Sequence, residues 1–296
     1  MEHDVIVIGG SYAGMSAALQ LLRARRKVLI IDAGLPRNRF ASHSNGFLGR
    51  DGMPPKQITS EAKEQLLGYQ TLEWVDGLVT GVIGSRDDFR VTTADMAEHQ
   101  GRRVLLATGV RDILPEIPGL KDRWGKSIFH CPYCHGYELN QGEIGILGST
   151  QMSIHQAEML AQWGNVTFFP NEAVVLDDTE RAKLMQAGVF IEPTTIDRLE
   201  ADADVVLTDG RAMTFAGLFV APIVEPGTAL PTQMGCQIDT NPMGQKLITD
   251  GMKQTSVPGV YACGDVGQMP HSVALAVGDG AMAGAMVHRS LIWPDA

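Results

Sequence analysis

Apolar positions along this chain follow two periods that recur in a fixed order. Residues 5–8, Val5-Ile6-Val7-Ile8, form a β-branched run of the kind that fills a parallel strand buried on both faces. The turn Gly9-Gly10-Ser11-Tyr12-Ala13-Gly14 follows, and residues 15–25 then carry apolar side chains at helical spacing. Residues 27–31 predict a second strand, closed by Asp32, which completes one βαβ unit. The succession returns later as a weak internal repeat: a strand over 143–147, a turn over 148–153, a helix over 154–163 and a strand over 165–169. Between the two units the pattern predicts a helix over 59–69, hairpin strands over 78–83 and 89–93, and a strand over 103–106 that runs into Ala107-Thr108-Gly109. Residues 36–55 are polar and proline-rich, and carry Arg37, Asn38, His43, Ser44 and Asn45; a loop this long inside a compact domain is usually functional. Residues 114–119 read as a boundary, and 244–249 as a second hinge. Val260-Tyr261-Ala262-Cys263-Gly264-Asp265 then precedes a helix of small residues over 272–288.

Composition narrows the function classes. The 296 residues suggest two domains, and 33 glycines imply many tight turns and close backbone approaches. A net charge of −10 argues against a nucleic-acid partner, which would want a basic face. No apolar run approaches the roughly 18 residues of a membrane span, and the strand at Val5 leaves no room for a signal peptide. The expectation is a cytoplasmic protein with no membrane partner. Four cysteines in a chain of this length are not a disulfide scaffold; a close pair in such a setting points to catalysis or a metal.

Two patterns carry candidate chemistry. Gly9 and Gly14 are the outer glycines of a dinucleotide fingerprint, with Ser11 in place of the middle one. Amides at the helix start would hold a pyrophosphate, and Asp32 could bind a ribose hydroxyl. The alternative is a glycine turn with no ligand. The second pattern is Cys131-Pro132-Tyr133-Cys134. Proline suits a first helical turn, a helix start favours thiolate, and two thiols this close can cycle between dithiol and disulfide. Three rivals compete for it. With His135 the string matches c-type haem attachment, which normally needs export. Zinc would want four paired ligands, whereas Cys236 and Cys263 stand alone and read as core residues; no metal is expected. A structural pair without function is the third.

Taken in order, the Gly9–Gly14 turn, Ala107-Thr108-Gly109, the CxxC, the second strand–turn–helix and Ala262-Cys263-Gly264-Asp265 resemble the low-molecular-weight thioredoxin reductase superfamily over essentially the whole chain. The resemblance implies an α/β fold with two Rossmann-like dinucleotide domains of three layers (β/β/α), the second inserted into the first. A discontinuous FAD domain would span 1–117 and 246–296, and a pyridine-nucleotide-type domain carrying the CxxC would span 118–245. It assigns Gly9, Gly10, Ser11, Tyr12, Ala13, Gly14, Asp32, Asn45, Val79, Thr108, Gly109, Asp265, Ser272 and Val273 to FAD. It places Cys134 against the flavin and Cys131 towards the substrate sulfur, and it implies a homodimer.

Three departures shape the functional expectation. The family's reductases carry Asp directly after the second cysteine, where this chain has His135, a group able to accept a proton near neutral pH. Cys-x-x-Cys-His-Gly-Tyr resembles the branch of gliotoxin- and holomycin-type dithiol oxidases. The second turn has Thr150 where an NADPH turn has glycine. The strand over 165–169 is followed by Pro170-Asn171-Glu172-Ala173 instead of an arginine cluster, and Glu172 would repel a 2′-phosphate. The reading is an FAD-dependent thiol–disulfide oxidoreductase with catalytic Cys131, Cys134 and His135 and with NADPH binding lost, either a dithiol oxidase using dioxygen or a reductase fed by a non-nicotinamide donor. Its partner would be a small dithiol or disulfide, or a thioredoxin-like protein. The alternatives are an NAD(P)H-dependent thioredoxin-disulfide reductase and a non-catalytic flavin-binding redox sensor.

Overall fold

The computed structural model describes residues 2–294. The chain begins with β1 (His3–Ile8), α1 (Tyr12–Arg23) and β2 (Val28–Asp32), then passes through α2 (Pro55–Leu67) to β3 (Leu72–Asp76), β4 (Val79–Ser85), β5 (Asp88–Thr93) and β6 (Glu98–Leu106). These strands form one sheet in the order β3-β2-β1-β6-β5-β4, and the late strand Val260–Ala262 also pairs with β6. The β1, β2, β3 and β6 pairings are parallel, whereas β4, β5 and the first half of β6 make an antiparallel meander. Strand alternation sends Val5 and Val7 to one core and Ile6 and Ile8 to the other, so both faces of the parallel part are covered.

The structure starts α2 at Pro55, four residues before the pattern at residue 59. Proline at the first helical position loses no hydrogen bond, and the polar residues after it point outwards. It also extends β6 back to Glu98 and adds β3, two strands whose exposed polar positions hid them from an apolar reading.

From β6 the chain enters β7 (Val110–Ile113), α3 (Leu120–Arg123), β8 (Ile128–Phe129) and the single turn α4 (Pro132–His135). It then builds β9 (Glu143–Leu147), α5 (Met152–Leu160), β10 (Asn165–Phe169), α6 (Asp178–Gln186) and β11 (Phe190–Ile191). A hairpin sheet β12 (Ile196–Glu200), β13 (Asp204–Leu207) and β14 (Ala212–Thr214) leads to β15 (Gly217–Val220). Strands β11-β10-β9-β15-β8 form a second, wholly parallel sheet with its own core on each face. The strand–turn–helix–strand repeat is therefore present twice, as read from the sequence.

Next come β16 (Ile223–Pro226), α7 (Leu230–Gln233), β17 (Ile238–Asn241) and β18 (Gly244–Leu247). Strand β16 pairs with β7 and β18, while Leu230, Cys236 and Leu247 share a core with Ile6, Leu29 and Val104. Residues 223–247 thus contribute to the core under β1, β2 and β6. The apolar residues of 223–247 are few and scattered, so the sequence pattern did not reveal which core they join.

The chain closes with β19 (Val260–Ala262) and the long helix α8 (Val273–Ile292), which packs along α1. Small residues permit that approach: a Cβ on Gly280 would lie 2.2 Å from the Ala13 carbonyl oxygen. Among the described residues no helix is long and apolar enough to cross a membrane.

Candidate active site

The end of β1 and the start of α1 open one side of a cavity of about 330 Å³. Gly9, at φ 107°, turns the chain there, and a Cβ on it would sit 2.3 Å from the Ala107 carbonyl oxygen. Ser11 holds the N-cap of α1 without a side-chain bond to the helix, so the first-turn amides keep no internal cap. Ser11, Tyr12, Ala13, Asp32, Asn45, Val79, Thr108, Gly109, Asp265, Ser272 and Val273 all line the cavity with Gly9. Gly10 and Gly14 do not; they sit behind the lining, where the Gly10 N–H donates to Asp32 Oδ1 at 2.9 Å. That bond fixes the Asp32 carboxylate at the cavity edge.

Four buried polar atoms on the lining have no partner in the protein: Asn38 Oδ1, Thr108 Oγ1, Thr228 Oγ1 and His271 Nε2. An unpaired buried polar group costs about 1–3 kcal/mol, so this cavity is built for a polar ligand. An open helix start, a carboxylate held at the cavity edge and four unpaired polar atoms on a mainly apolar lining fit FAD.

The CxxC turn closes the other side. Asn45 Nδ2 donates to the Cys134 carbonyl at 2.9 Å, which ties the polar loop to the CxxC turn. Cys131 and Cys134 form a disulfide with Cα atoms 5.3 Å apart. Cys134 and His135 line the cavity, and Cys131 does not. The helix carrying them is one turn long, so its dipole is smaller than the sequence reading assumed. Tyr133 and Tyr137, both exposed, flank the turn.

His135 is oriented by two contacts. Its Nδ1 lies 2.7 Å from the Cys134 carbonyl oxygen, and its ring packs 4.1 Å from that of Phe129. A carbonyl only accepts, so Nδ1 carries the proton and Nε2 keeps a free lone pair. Burial pushes the His135 pKa down to about 4, so the imidazole is neutral at pH 7. Burial, and then the Arg37 charge, lower His130 to about 3.

A charged cluster that sequence reading did not assemble lies alongside. The Arg37 guanidinium grips Asp112 through Nε at 3.0 Å and Nη2 at 2.5 Å, and reaches Asp265 Oδ2 at 3.3 Å and His271 Nδ1 at 2.8 Å. Arg37 stood in the long polar loop, which was the only available signal. Asp112 lies on β7, an element the apolar pattern missed, and His271 sits one residue before the α8 N-cap. No spacing rule links positions so far apart.

The second strand–turn–helix is built differently. Ser153 Oγ accepts from the Ser149 amide at 3.1 Å and from the Thr150 amide at 3.4 Å. Ser149 Oγ donates to the Ala221 carbonyl at 2.7 Å. After β10, Asn171 Oδ1 accepts from the Ile196 amide at 2.9 Å, and Glu172 Oε1 accepts from Thr195 Oγ1 at 3.1 Å. The Ser149 and Thr150 amides and the Asn171 and Glu172 side chains are thus bonded within the protein.

The sequence profile of the pyridine nucleotide-disulphide oxidoreductases matches residues 3–280. The chain belongs to this family. A solved oxidoreductase from Agrobacterium tumefaciens is 52% identical, with each chain fully covered and a TM-score of 0.97. The structure of HlmI is 36% identical with a TM-score of 0.92, covering 99% of this chain and 94% of that one. Thioredoxin reductase sirT of Leptosphaeria maculans is 30% identical over 99% of this chain and 95% of its own length. Family and relatives together make this protein a flavin disulfide oxidoreductase of thioredoxin reductase type, with the two-domain Rossmann-like fold read from the sequence.

Proposed function

We propose that the protein relays electron pairs between a small dithiol or disulfide, the Cys131–Cys134 pair and FAD, without a nicotinamide cofactor. The observation that carries this reading is the internal capping of the second nucleotide turn by Ser153. A pyrophosphate needs those amides free. Nor does the end of β10 offer a cation: Asn171 and Glu172 stand there, each bonded to β12 or the residue before it.

In the oxidising direction one substrate thiolate attacks Cys131 Sγ, the sulfur outside the cavity. The Cys131–Cys134 bond breaks and Cys134 leaves as a thiolate. The second substrate thiolate attacks the substrate sulfur of the mixed disulfide, releasing oxidised substrate and the Cys131 thiolate. Two protons leave the substrate, and in this reading His135 Nε2, whose lone pair is free, accepts one of them. When bound, FAD would supply the two-electron acceptor that lets the Cys131–Cys134 disulfide re-form, with dioxygen as the terminal oxidant. Asn45 and His135 hold the Cys134 carbonyl, and so the turn, while the bond exchanges.

The relatives' names support a second reading, an NAD(P)H-dependent thioredoxin-disulfide reductase with a thioredoxin-like partner at exposed Tyr133 and Tyr137. A homodimer is supported by the open apolar face of α8, where Leu275 and Met282 are exposed. The unpaired Cys236 and Cys263 suit a reducing, cytoplasmic setting.

Anaerobic stopped-flow mixing decides between the readings. Dithiothreitol should bleach the flavin band readily, while millimolar NADPH and NADH should not. Bleaching by either nucleotide at many turnovers per second would overturn nicotinamide independence.

A further inference from the structure

His271 is the unusual member of the cavity lining. Its Nδ1 lies 2.8 Å from Arg37 Nη1, and a guanidinium can only donate. Nδ1 must therefore carry the lone pair, which puts the ring's proton on Nε2. Arg37 has no freedom to turn away, because Asp112 holds it at two points and Asp265 at a third. Nε2 is shielded from solvent and has no partner in the protein, on a residue that lines the FAD cavity. The groups facing this ring are Arg37, Asp112, Asp265 and His130. Burial holds His271 below the ordinary histidine pKa against the pull of Asp265, its carboxylate and its backbone, and of Asp112, with the Arg37 charge on burial's side, so the ring is neutral at pH 7.

We infer that His271 donates its Nε2 hydrogen to an acceptor atom of the bound flavin and thereby favours the reduced, more electron-rich cofactor. Asp112 and Arg37 are positioning residues that fix the tautomer. The inference rests on the FAD reading above. Neutral imidazole is suited to the task, since it adds a directed donor without a charge of its own. A donor strengthens most when its acceptor gains negative charge, so the effect falls on the cofactor's potential and only secondarily on its affinity.

The test compares three holoproteins: the wild type, His271→Gln, which keeps an N–H donor, and His271→Phe, which keeps a planar ring without one. The flavin midpoint potential is read anaerobically against reference dyes. His271→Phe should shift the balance towards oxidised flavin about tenfold, or about 30 mV for two electrons. His271→Gln should lie closer to the wild type than to His271→Phe. Equal potentials in all three overturn the inference, as does an equal shift in both variants, which would report packing. A changed KM for dithiothreitol at unchanged potential also overturns it, since the donor would then face the substrate. If His271→Phe loses its FAD, ¹⁵N-histidine spectra of the wild-type holoprotein give the answer. A proton on Nε2 with a bare Nδ1 supports the inference, and a proton on Nδ1 overturns it. A wild-type protein that takes up no FAD would instead remove the cofactor reading itself.

Discussion

Replacing His135 by Gln keeps an amide N–H able to reach the Cys134 carbonyl but removes the basic nitrogen. The structure sets both the size and the pH window of the effect. Burial holds the imidazole at about 4, so the base is available from about pH 5 upwards. A positioned acid–base group contributes about 10²–10⁴ in rate, and because a pKa of about 4 makes His135 a weak base, His135→Gln should lose about 10² at pH 7, the low end of that range. Without Nε2 the substrate thiol must ionise in solvent, so the variant's rate should climb tenfold per pH unit up to the thiol pKa of about 8.5. The wild type should be flatter, with its acid limb near pH 4 and not near 6.5. Single-turnover flavin reduction by dithiothreitol, followed anaerobically from pH 4.5 to 9, separates the two profiles. An unchanged profile in His135→Gln, or a wild-type limb at 6.5, would refute the assignment. Stability carries the same signature. Below pH 6.5 the unfolded chain binds a proton that folded His135 refuses until about pH 4. Stability is therefore full above 6.5 and falls as pH drops through that window, by up to about 3 kcal/mol. His135→Gln should remove about one proton's worth of that slope, while His130, held at about 3, keeps its own.

Cys131→Ser and Cys134→Ser should each abolish dithiol turnover while FAD stays bound, and only Cys131→Ser should leave a thiolate beside the flavin, seen as a long-wavelength absorbance shoulder; the reverse pattern would exchange their roles. Gly280→Ala should cost about 1–3 kcal/mol, because its Cβ would lie 2.2 Å from the Ala13 carbonyl oxygen and neither helix backbone can yield cheaply. An unchanged urea midpoint would show that α1 and α8 pack less tightly than their backbones imply.

The parallel strands were legible because burial on both faces writes continuous apolar runs, as at Val5–Ile8 and in β9, and because glycine turns punctuate them. The region from β11 to β18 was not, since short half-exposed strands such as β12 and β17 mix charged and apolar positions. At the site, Cys134, His135, Asp265 and the first-turn residues lie together because each belongs to a local motif with its own chemistry. Arg37, Asp112 and His271 were hidden because their meaning is relational. A charged residue in a loop is ordinary until a second one, 75 positions away, is found holding it.

The two strand–turn–helix units show how one scaffold reaches opposite chemical states through few side chains. Both place a helix start at the end of a parallel strand, where unbonded amides and the helix dipole favour an anion. At α1 the N-cap side chain makes no bond to the helix and Asp32 braces the turn from behind, so the donors face the cavity. At α5 a serine in the helix's first turn reaches back to the Ser149 and Thr150 amides. A serine hydroxyl offers two lone pairs, enough to occupy both donors. Binding a dinucleotide there would first require breaking those bonds, then freeing Asn171 and Glu172 from their partners beside β12. Each loss would have to be recovered by a ligand that finds no cation at the end of β10. Ser153→Gly should therefore not be enough to restore nucleotide binding, because it frees the turn while leaving the ribose side closed. A Ser153→Gly holoprotein whose flavin NADH reduces at many turnovers per second would show that the serine alone closes this site.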